Sequence, residues 1–486
     1  MNITKTDYLN YLTCPDFAWL EKHKPNEVDT SPTGYDQKLI RDGYETEEYA
    51  QDLFPTGEIS EHVFSYDNQP DEACLYQATF VTDDDLEARL DILKRNEDNT
   101  FDIFEVKSSS SVKQWAGQDH IRDVAFQKIV LERCGLAVSS VNIIHLNSDY
   151  VRGRKLDLEA LFVTEDITER VDEIIDTVSD EISTAKGWFA QGSIDETGCS
   201  CRFKTRSNHC GSFTYFNGQI AKTSAYNIPY ISSSKLGLLL EAGIEDMADI
   251  PTNFDLSDKQ LTYVQAAQTG KPQINEAEME SLLSEYTYPL YFLDYETYAT
   301  AVPKLEGLSP HSNIPFQASL HILREDSELE HFEYLSNELI YPEDLVKYLA
   351  EHIGDTGAIV VWNDGFEKGR NREMGECFGE YEDFFEDLNE RIVDLEDVFK
   401  TTYVHPEAAG YTKLKVIYPT LLPGGKSYND LEVQNGTMAM SKWEEMVTGD
   451  MSAEDRQQRR KELLAYCELD TLAMVEIYQF LLKNFQ

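Results

Sequence analysis

The sequence predicts a mixed α/β (α+β) chain of more than one domain. Its 486 residues exceed what one ordinary core accommodates, so two to three domains are expected. Period-two runs at 77–81, 86–93, 101–107 and 141–146 are interspersed with helical stretches, and strand texture returns at 290–293 and 359–363. Hydrophobic and aromatic contents of 41% and 11% are those of a chain that buries a core.

Taken in order, Thr4-Lys5-Thr6-Asp7 predicts a helix start, with Thr4 as cap and Asp7 three residues on. The helix runs through Leu12 toward Cys14-Pro15 and resumes through Phe17, Trp19 and Leu20. A second helix is expected from about 36 to 53, closed by the turn Phe54-Pro55-Thr56-Gly57, and Asn96 to Asn99 reads as a hairpin turn. Helical spacing returns over 121–131 and, as one amphipathic helix, over 166–190. Short helical segments with a tight glycine turn, Ile228 to Leu240 and then Gly243-Ile244, resemble a helix-hairpin-helix. The texture change near Tyr288-Pro289 then gives three expected domains: 1–218, a helical connector at 219–285, and 286–486.

The charge of −47, from 42 basic and 89 acidic residues, excludes nucleic-acid binding driven by net charge. Basic residues are nevertheless grouped: Lys107, Lys113, Arg122 and Lys128; Arg202, Lys204 and Arg206; Lys368, Arg370 and Arg372. Local positive channels on an acidic body are one reading, solvated surface residues the other. No apolar run approaches 18 residues and the N-terminus lacks a signal-peptide layout, so a soluble cytoplasmic protein without membrane contact is expected.

Two groups of acids carry the chemistry. In the first, Arg89-Leu90-Asp91-Ile92-Leu93 and Ile103-Phe104-Glu105-Val106-Lys107 read as adjacent strands, with Asp91, Glu105 and Lys107 on one face. Two carboxylates suit a hard divalent cation, and the lysine suits an attacking water or a scissile phosphate. Gln127, on the following helix, is placed to face the same cleft. This layout resembles the PD-(D/E)xK nucleases, in particular the RecB-like branch with iron–sulfur members. The resemblance implies a restriction-endonuclease-like fold and a glutamine on that helix, matched by Gln127. It also implies an upstream helical ligand, for which Glu47 and Glu48 are both candidates and no histidine is present.

The eight cysteines are not a disulfide framework in a cytoplasmic chain of this length. Cys199, Cys201 and Cys210 crowd together, with Cys14 far upstream as a candidate fourth. Members of the same branch close their nuclease domain with a four-cysteine 4Fe–4S cluster, one ligand before and three after the catalytic core. The order here matches, with a departure in the single residue separating Cys199 from Cys201. His209 leaves a zinc alternative through Cys199, Cys201, His209 and Cys210. Cys74, Cys134, Cys377 and Cys467 are expected to be plain core residues.

In the second group, the strand Tyr291-Phe292-Leu293-Asp294-Tyr295-Glu296 puts Asp294 and Glu296 on one face. A buried strand at 359–363 leads to Asp364-Gly365-Phe366-Glu367, and Tyr466 and Asp470 lie four apart on a helix. Together these resemble the motifs of the DEDD exonucleases, tyrosine subtype. The resemblance implies an RNase H-like fold, two Mg²⁺ or Mn²⁺ ions, 3′→5′ hydrolysis, and Tyr466 positioning the attacking water. The departure is Glu367 where the family has aspartate, with Asp364 as fallback ligand. Leu422 to Ser427 ends like a phosphate-binding loop, but Thr420 stands where that motif needs glycine, so a surface turn is expected.

The expected function is a two-site metal-dependent nuclease, resembling bacterial fusions of a RecB-like iron–sulfur nuclease domain and a DEDD-type exonuclease domain. Its expected partner is DNA, as single strands or duplex ends, in repair, foreign-DNA degradation or CRISPR spacer trimming. The alternatives are RNA processing and a nucleic-acid-binding scaffold with one or both sites silent.

Overall fold

The computed structural model describes residues 2–28, 31–115 and 117–485. It is a mixed α/β protein with several sheets. The chain divides into two compact units: residues 1–219 with 300–312, and residues 220–299 with 313–486. The stretch 220–285, read from sequence as a separate connector, falls within the second unit.

The first unit is built on an eight-stranded sheet. Its long strands are β1 (Cys74–Val81), β2 (Leu86–Arg95), β3 (Phe101–Lys107), β4 (Val138–Leu146) and β5 (Phe162–Asp166), in the order β5-β4-β3-β2-β1. Among these five long strands the neighbours are antiparallel except β3 and β4, which the crossover helix His120–Arg133 makes parallel. That helix is buried along most of its length, so its polar Asp123 and Gln127 are held inside the protein.

At the N-terminus, the helix Lys5–Thr13 opens on a reciprocal capping box. Thr4 Oγ1 accepts from the Asp7 amide at 3.1 Å, and Asp7 accepts from the Thr4 amide at 2.8 Å. Cys14 ends this helix and begins the next, Pro15–His23, with proline at its first position. The expected 36–53 helix spans Gly34–Gln51, capped instead by Thr33. Residues 166–190 form two helices rather than one, Thr168–Asp172 and Ile175–Phe189; nothing in the sequence marks the break.

In the second unit, the helix expected from Ile228 begins only at Ser233, because Ser232 supplies the cap to the Lys235 amide. Helices Asp258–Thr269 and Glu276–Leu283 follow. The central sheet comprises β6 (Leu290–Ala299), β7 (Asn313–Leu323), β8 (Leu329–Leu335), β9 (Ile359–Val361) and β10 (Ile392–Asp394), in the order β8-β7-β6-β9-β10. Strand β7 is antiparallel to both neighbours, while β6, β9 and β10 run parallel. The 33-residue helix Ala453–Phe485 packs on β6 and β7. Its Leu463 carbonyl accepts from Gln317 at 2.8 Å, and Thr471 Oγ1 meets Ser319 Oγ at 2.7 Å.

Two expectations concerning single residues change. Cys377, at the end of the helix Asp364–Cys377, is exposed and not a core residue. Residues 422–427 form the expected turn, leading into the short 3-10 helix Tyr428–Asp430. Among the described residues no helix is long and apolar enough to cross a membrane.

Candidate metal centres

The second unit gathers an acidic site from elements far apart in sequence. The pleat of β6 puts Asp294 and Glu296 on one face, with Asp294 opposite Ser319 and Glu296 opposite Gln317. Asp470 reaches the same point from the Ala453–Phe485 helix, and ligand oxygens of Asp294, Glu296 and Asp470 lie within 4.8 Å of one another. This triad could bind a metal ion. Glu296 is closely packed: a Cβ added at Gly436 would stand 3.1 Å from its Oε2, so glycine suits that position.

Glu367 sits in the first turn of the Asp364–Cys377 helix, which Asn371 anchors by accepting from the Tyr295 hydroxyl at 2.9 Å. Glu367 is buried and its Oε2 has no hydrogen-bond partner. Asp364 is instead paired with Lys368 at 2.5 Å on a more exposed face, which leaves Glu367 as the inward acid of that motif. Burial drives the acids toward their neutral forms. It pushes Asp294 to about 8, with Asp470 adding repulsion, and Glu367 to about 9, with Asp294 adding. Burial likewise raises Glu296 well above the carboxylate range, and raises Asp470.

Sequence reasoning missed three groups here. Tyr428 donates to Asp470 Oδ1 at 2.6 Å, and Lys415 donates to the Tyr466 hydroxyl at 2.5 Å. Cys467, expected to be a plain core residue, is buried with its Sγ 3.4 Å from Asp294 Oδ2.

The first unit brings its expected acids together differently. Asp91 accepts from the Val106 amide at 2.8 Å, across the β2–β3 pair. Glu105 accepts from Lys107 at 2.7 Å, from Gln127 at 2.7 Å and from Lys5 at 2.8 Å. Asp123, absent from the sequence reading, accepts from Lys107 at 2.7 Å, Lys5 at 3.0 Å and Gln127 at 3.0 Å. Burial opposes the charge on Asp123, yet Lys107 and Lys5 outweigh it and hold this acid well below the carboxylate range. Asp91 lacks such a partner and is raised, by burial first and by Glu105 second. Of the two upstream candidates, Glu47 is half-buried, is held by Gln77 and feels Glu105, whereas Glu48 is exposed. Gln127 keeps its Oε1 buried without a partner.

The four cysteines converge: the sulfurs of Cys14, Cys199, Cys201 and Cys210 lie within 4.8 Å of one another, all buried. The surrounding chain is tied down by Trp188 donating to the Pro15 carbonyl at 2.8 Å and by Lys204 donating to the Thr13 carbonyl at 2.7 Å. Asn217 donates to Cys199 Sγ at 3.3 Å. His209 stands outside the group: its Nε2 meets the Lys204 carbonyl at 3.1 Å and its ring stacks on Phe213.

Several of the basic residues grouped in the sequence are paired with acids. Arg122 pairs with Glu181 and Asp119, Lys128 with Asp172, and Arg370 with Glu373. Of that first group Lys107 reaches the acidic site, whereas Arg122 and Lys128 meet nearer acids and Lys113 bonds the Gln118 side chain.

Comparison with known proteins adds similarity without an activity. Residues 291–413 match a family described as a domain of unknown function (DUF2779), a span that holds Asp294, Glu296 and Glu367. Similar proteins include the "Uncharacterized protein MG366 homolog" of Mycoplasma pneumoniae, 28% identical over 40% of this chain and 32% of its own length. "Uncharacterized protein UU173" of Ureaplasma parvum is 23% identical over 46% of this chain and 35% of its own. "Uncharacterized protein MG366" of Mycoplasma genitalium is 23% identical over 39% and 31%. The chain thus spans about a third of the length of the curated relatives it matches.

Proposed function

We propose that the protein is a metal-dependent nuclease whose principal active site is the acidic centre of the second unit, working as a 3′→5′ exonuclease. One observation carries the reading: ligand oxygens of the half-buried Asp294 and the buried Glu296 and Asp470 lie within 4.8 Å of one another, and Glu367, close enough to interact with Asp294, presents a buried unpartnered oxygen. Acids of one sign that make no direct ion pair among the described residues, with Lys415 acting on them only through space, fit hard-oxygen ligation of a divalent ion. The strand order β8-β7-β6-β9-β10, with β7 alone reversed, supports the RNase H-like resemblance. So does the arrival of Tyr466 and Asp470 from one helix face.

Asp294, Glu296, Glu367 and Asp470 would hold Mg²⁺ or Mn²⁺. When bound, such ions supply Lewis-acid polarisation of the phosphate and a nucleophilic water at neutral pH. Around them the chain limits access of bulk water by burying Glu296, Glu367 and Asp470, and the Tyr466 hydroxyl would orient the attacking water. The cysteine group fits a soft metal centre, with 4Fe–4S the favoured occupant. Four thiolates suit zinc equally in chemistry, but the engagement of His209 elsewhere argues against the Cys₃His version. Metal held there would staple residue 14 to residues 199–210 and stabilise the first unit.

For the acids of the first unit a second reading has its own support. Lys5 and Lys107 already act as counter-cations to Glu105 and Asp123, which favours a silent or weakly metal-binding site.

The test is cleavage of end-labelled single-stranded DNA and RNA by the full chain with Mn²⁺. The proposal expects a ladder of products on DNA, lost with Asp294→Ala. A ladder on RNA alone would select the RNA-processing alternative. Cleavage of neither would leave a binding scaffold.

A further inference from the structure

The proposed chemistry uses the four acids and Tyr466, yet the group that holds Tyr466 is none of these. Lys415 lies in the first turn of the helix Leu414–Leu421. Its ammonium donates to the Gln434 carbonyl at 3.0 Å and to the Tyr466 oxygen at 2.5 Å. It also sits 4.3 Å from the centre of the Tyr466 ring and 5.0 Å from that of Tyr428. Tyr428 in turn donates its own proton to Asp470 at 2.6 Å. Lys415, Tyr466, Tyr428 and Asp470 thus form a contiguous arrangement in which one cation contacts both tyrosines.

The hydrogen-bond inventory gives this arrangement a direction. An ammonium is donor-only, and a phenol has one proton and an oxygen that accepts. With Lys415 donating to its oxygen, Tyr466 directs its own proton away from Lys415 and toward the Asp470 carboxylate. Lys415 is also the cation that offsets the charge of Asp294, Glu296 and Asp470 alike. A charge-assisted bond of this kind is roughly twice as strong as a neutral one, so it restricts the phenol's orientation.

We infer that Lys415 is a positioning residue for the exonuclease reaction: it fixes Tyr466 as a hydrogen-bond donor turned to the Asp470 side of the acidic site, where the reacting water would stand. The inference rests on the proposed function for its kinetic consequence, but not for the lysine–phenol contact itself.

The experiment compares full-length Lys415→Met and Lys415→Arg with the parent, using Mn²⁺ and a single-stranded oligonucleotide. Removing one preorganised polar contact from an active site predicts a fall in kcat of about 100-fold for Lys415→Met. KM and the number of Mn²⁺ ions bound should be unchanged, and Lys415→Arg, which keeps a donor, should recover most of the rate. A second readout needs no activity. In protein labelled with meta-fluorotyrosine, the Tyr466 resonance, assigned by its loss in Tyr466→Phe, should shift in Lys415→Met and return toward the parent position in Lys415→Arg. An unmoved resonance overturns the inference. So does an unchanged kcat, or a loss of Mn²⁺ binding in parallel with the rate, which marks a merely structural role. If the parent cleaves nothing, the proposed function fails and the fluorine result alone decides whether Lys415 positions Tyr466.

Discussion

The two acidic centres of this chain are built from similar residues and are balanced in opposite ways. In the first unit, Glu105 and Asp123 share two lysine ammoniums, and Lys107 and Lys5 hold Asp123 ionised against its burial. In the second, burial raises Asp294, Glu296, Glu367 and Asp470 together, and the one nearby lysine is engaged with a tyrosine. A buried acid relieves its desolvation by pairing, by protonation or by holding a metal. Glu105 and Asp123 of the first unit have taken the first route, while Asp91 has no ion pair among the described residues and is raised by its burial. The second is left with the other two, and this makes it the stronger candidate for a working metal site.

The comparison can be broken most decisively at Asp294. A metal-based Lewis acid contributes several kcal/mol of transition-state stabilisation, so Asp294→Ala should lower cleavage by roughly 1,000-fold. Lys107→Ala should leave that activity intact. Equal losses in an end-labelled oligonucleotide assay would erase the contrast between the centres.

The next effect concerns the cysteine group. Cys14→Ala removes one of four converging thiols, and metal binding free energy is folding free energy. The first unit's thermal midpoint should fall by about 10 °C, read by calorimetry, with any brown colour lost. An unchanged midpoint would make these ordinary buried cysteines.

A pH titration sharpens the contrast further. Asp294 near 8 and Glu367 near 9 bind protons more tightly folded than unfolded. Between the ordinary carboxylate range and those values the native state therefore carries the extra protons, and stability falls as pH rises. Metal-free protein should lose thermal stability from about pH 5 to 9, and Mn²⁺ should restore progressively more of it over the same interval. Asp123 runs the other way: its pairing contributes above the ordinary carboxylate range and is lost only in strong acid.

The smallest effect is expected at Lys5. Lys5→Met strips one counter-cation from Glu105 and Asp123, destabilising the first unit by about 3 kcal/mol in denaturant unfolding. It should also raise Mn²⁺ affinity there. No change in either would mean that Lys107 suffices alone.

What the sequence disclosed followed local pattern. Asp294 and Glu296 were legible because a strand's pleat fixes which residues share a face, and Tyr466 and Asp470 because a helix does. The Thr4 cap was legible because its partner stands three residues away. Lys5 and Glu105 are 100 residues apart, and Lys415 and Tyr466 are 51 apart. No periodicity links such pairs, and a lone lysine carries no motif, so only the folded arrangement identifies them. The grouped basic residues misled for the related reason that sequence proximity to a motif says nothing about which acid lies nearest in space. Arg122, three residues from Asp119, bonds that acid and the distant Glu181 rather than the catalytic candidates.

The central claim is that the second unit's acids, and not the first's, hold divalent ions. Counting bound Mn²⁺ by electron paramagnetic resonance in the parent, in Asp294→Ala and in Lys107→Ala tests it directly. The account predicts that Asp294→Ala loses the tightly bound ions while Lys107→Ala keeps them. Full retention in Asp294→Ala would contradict it.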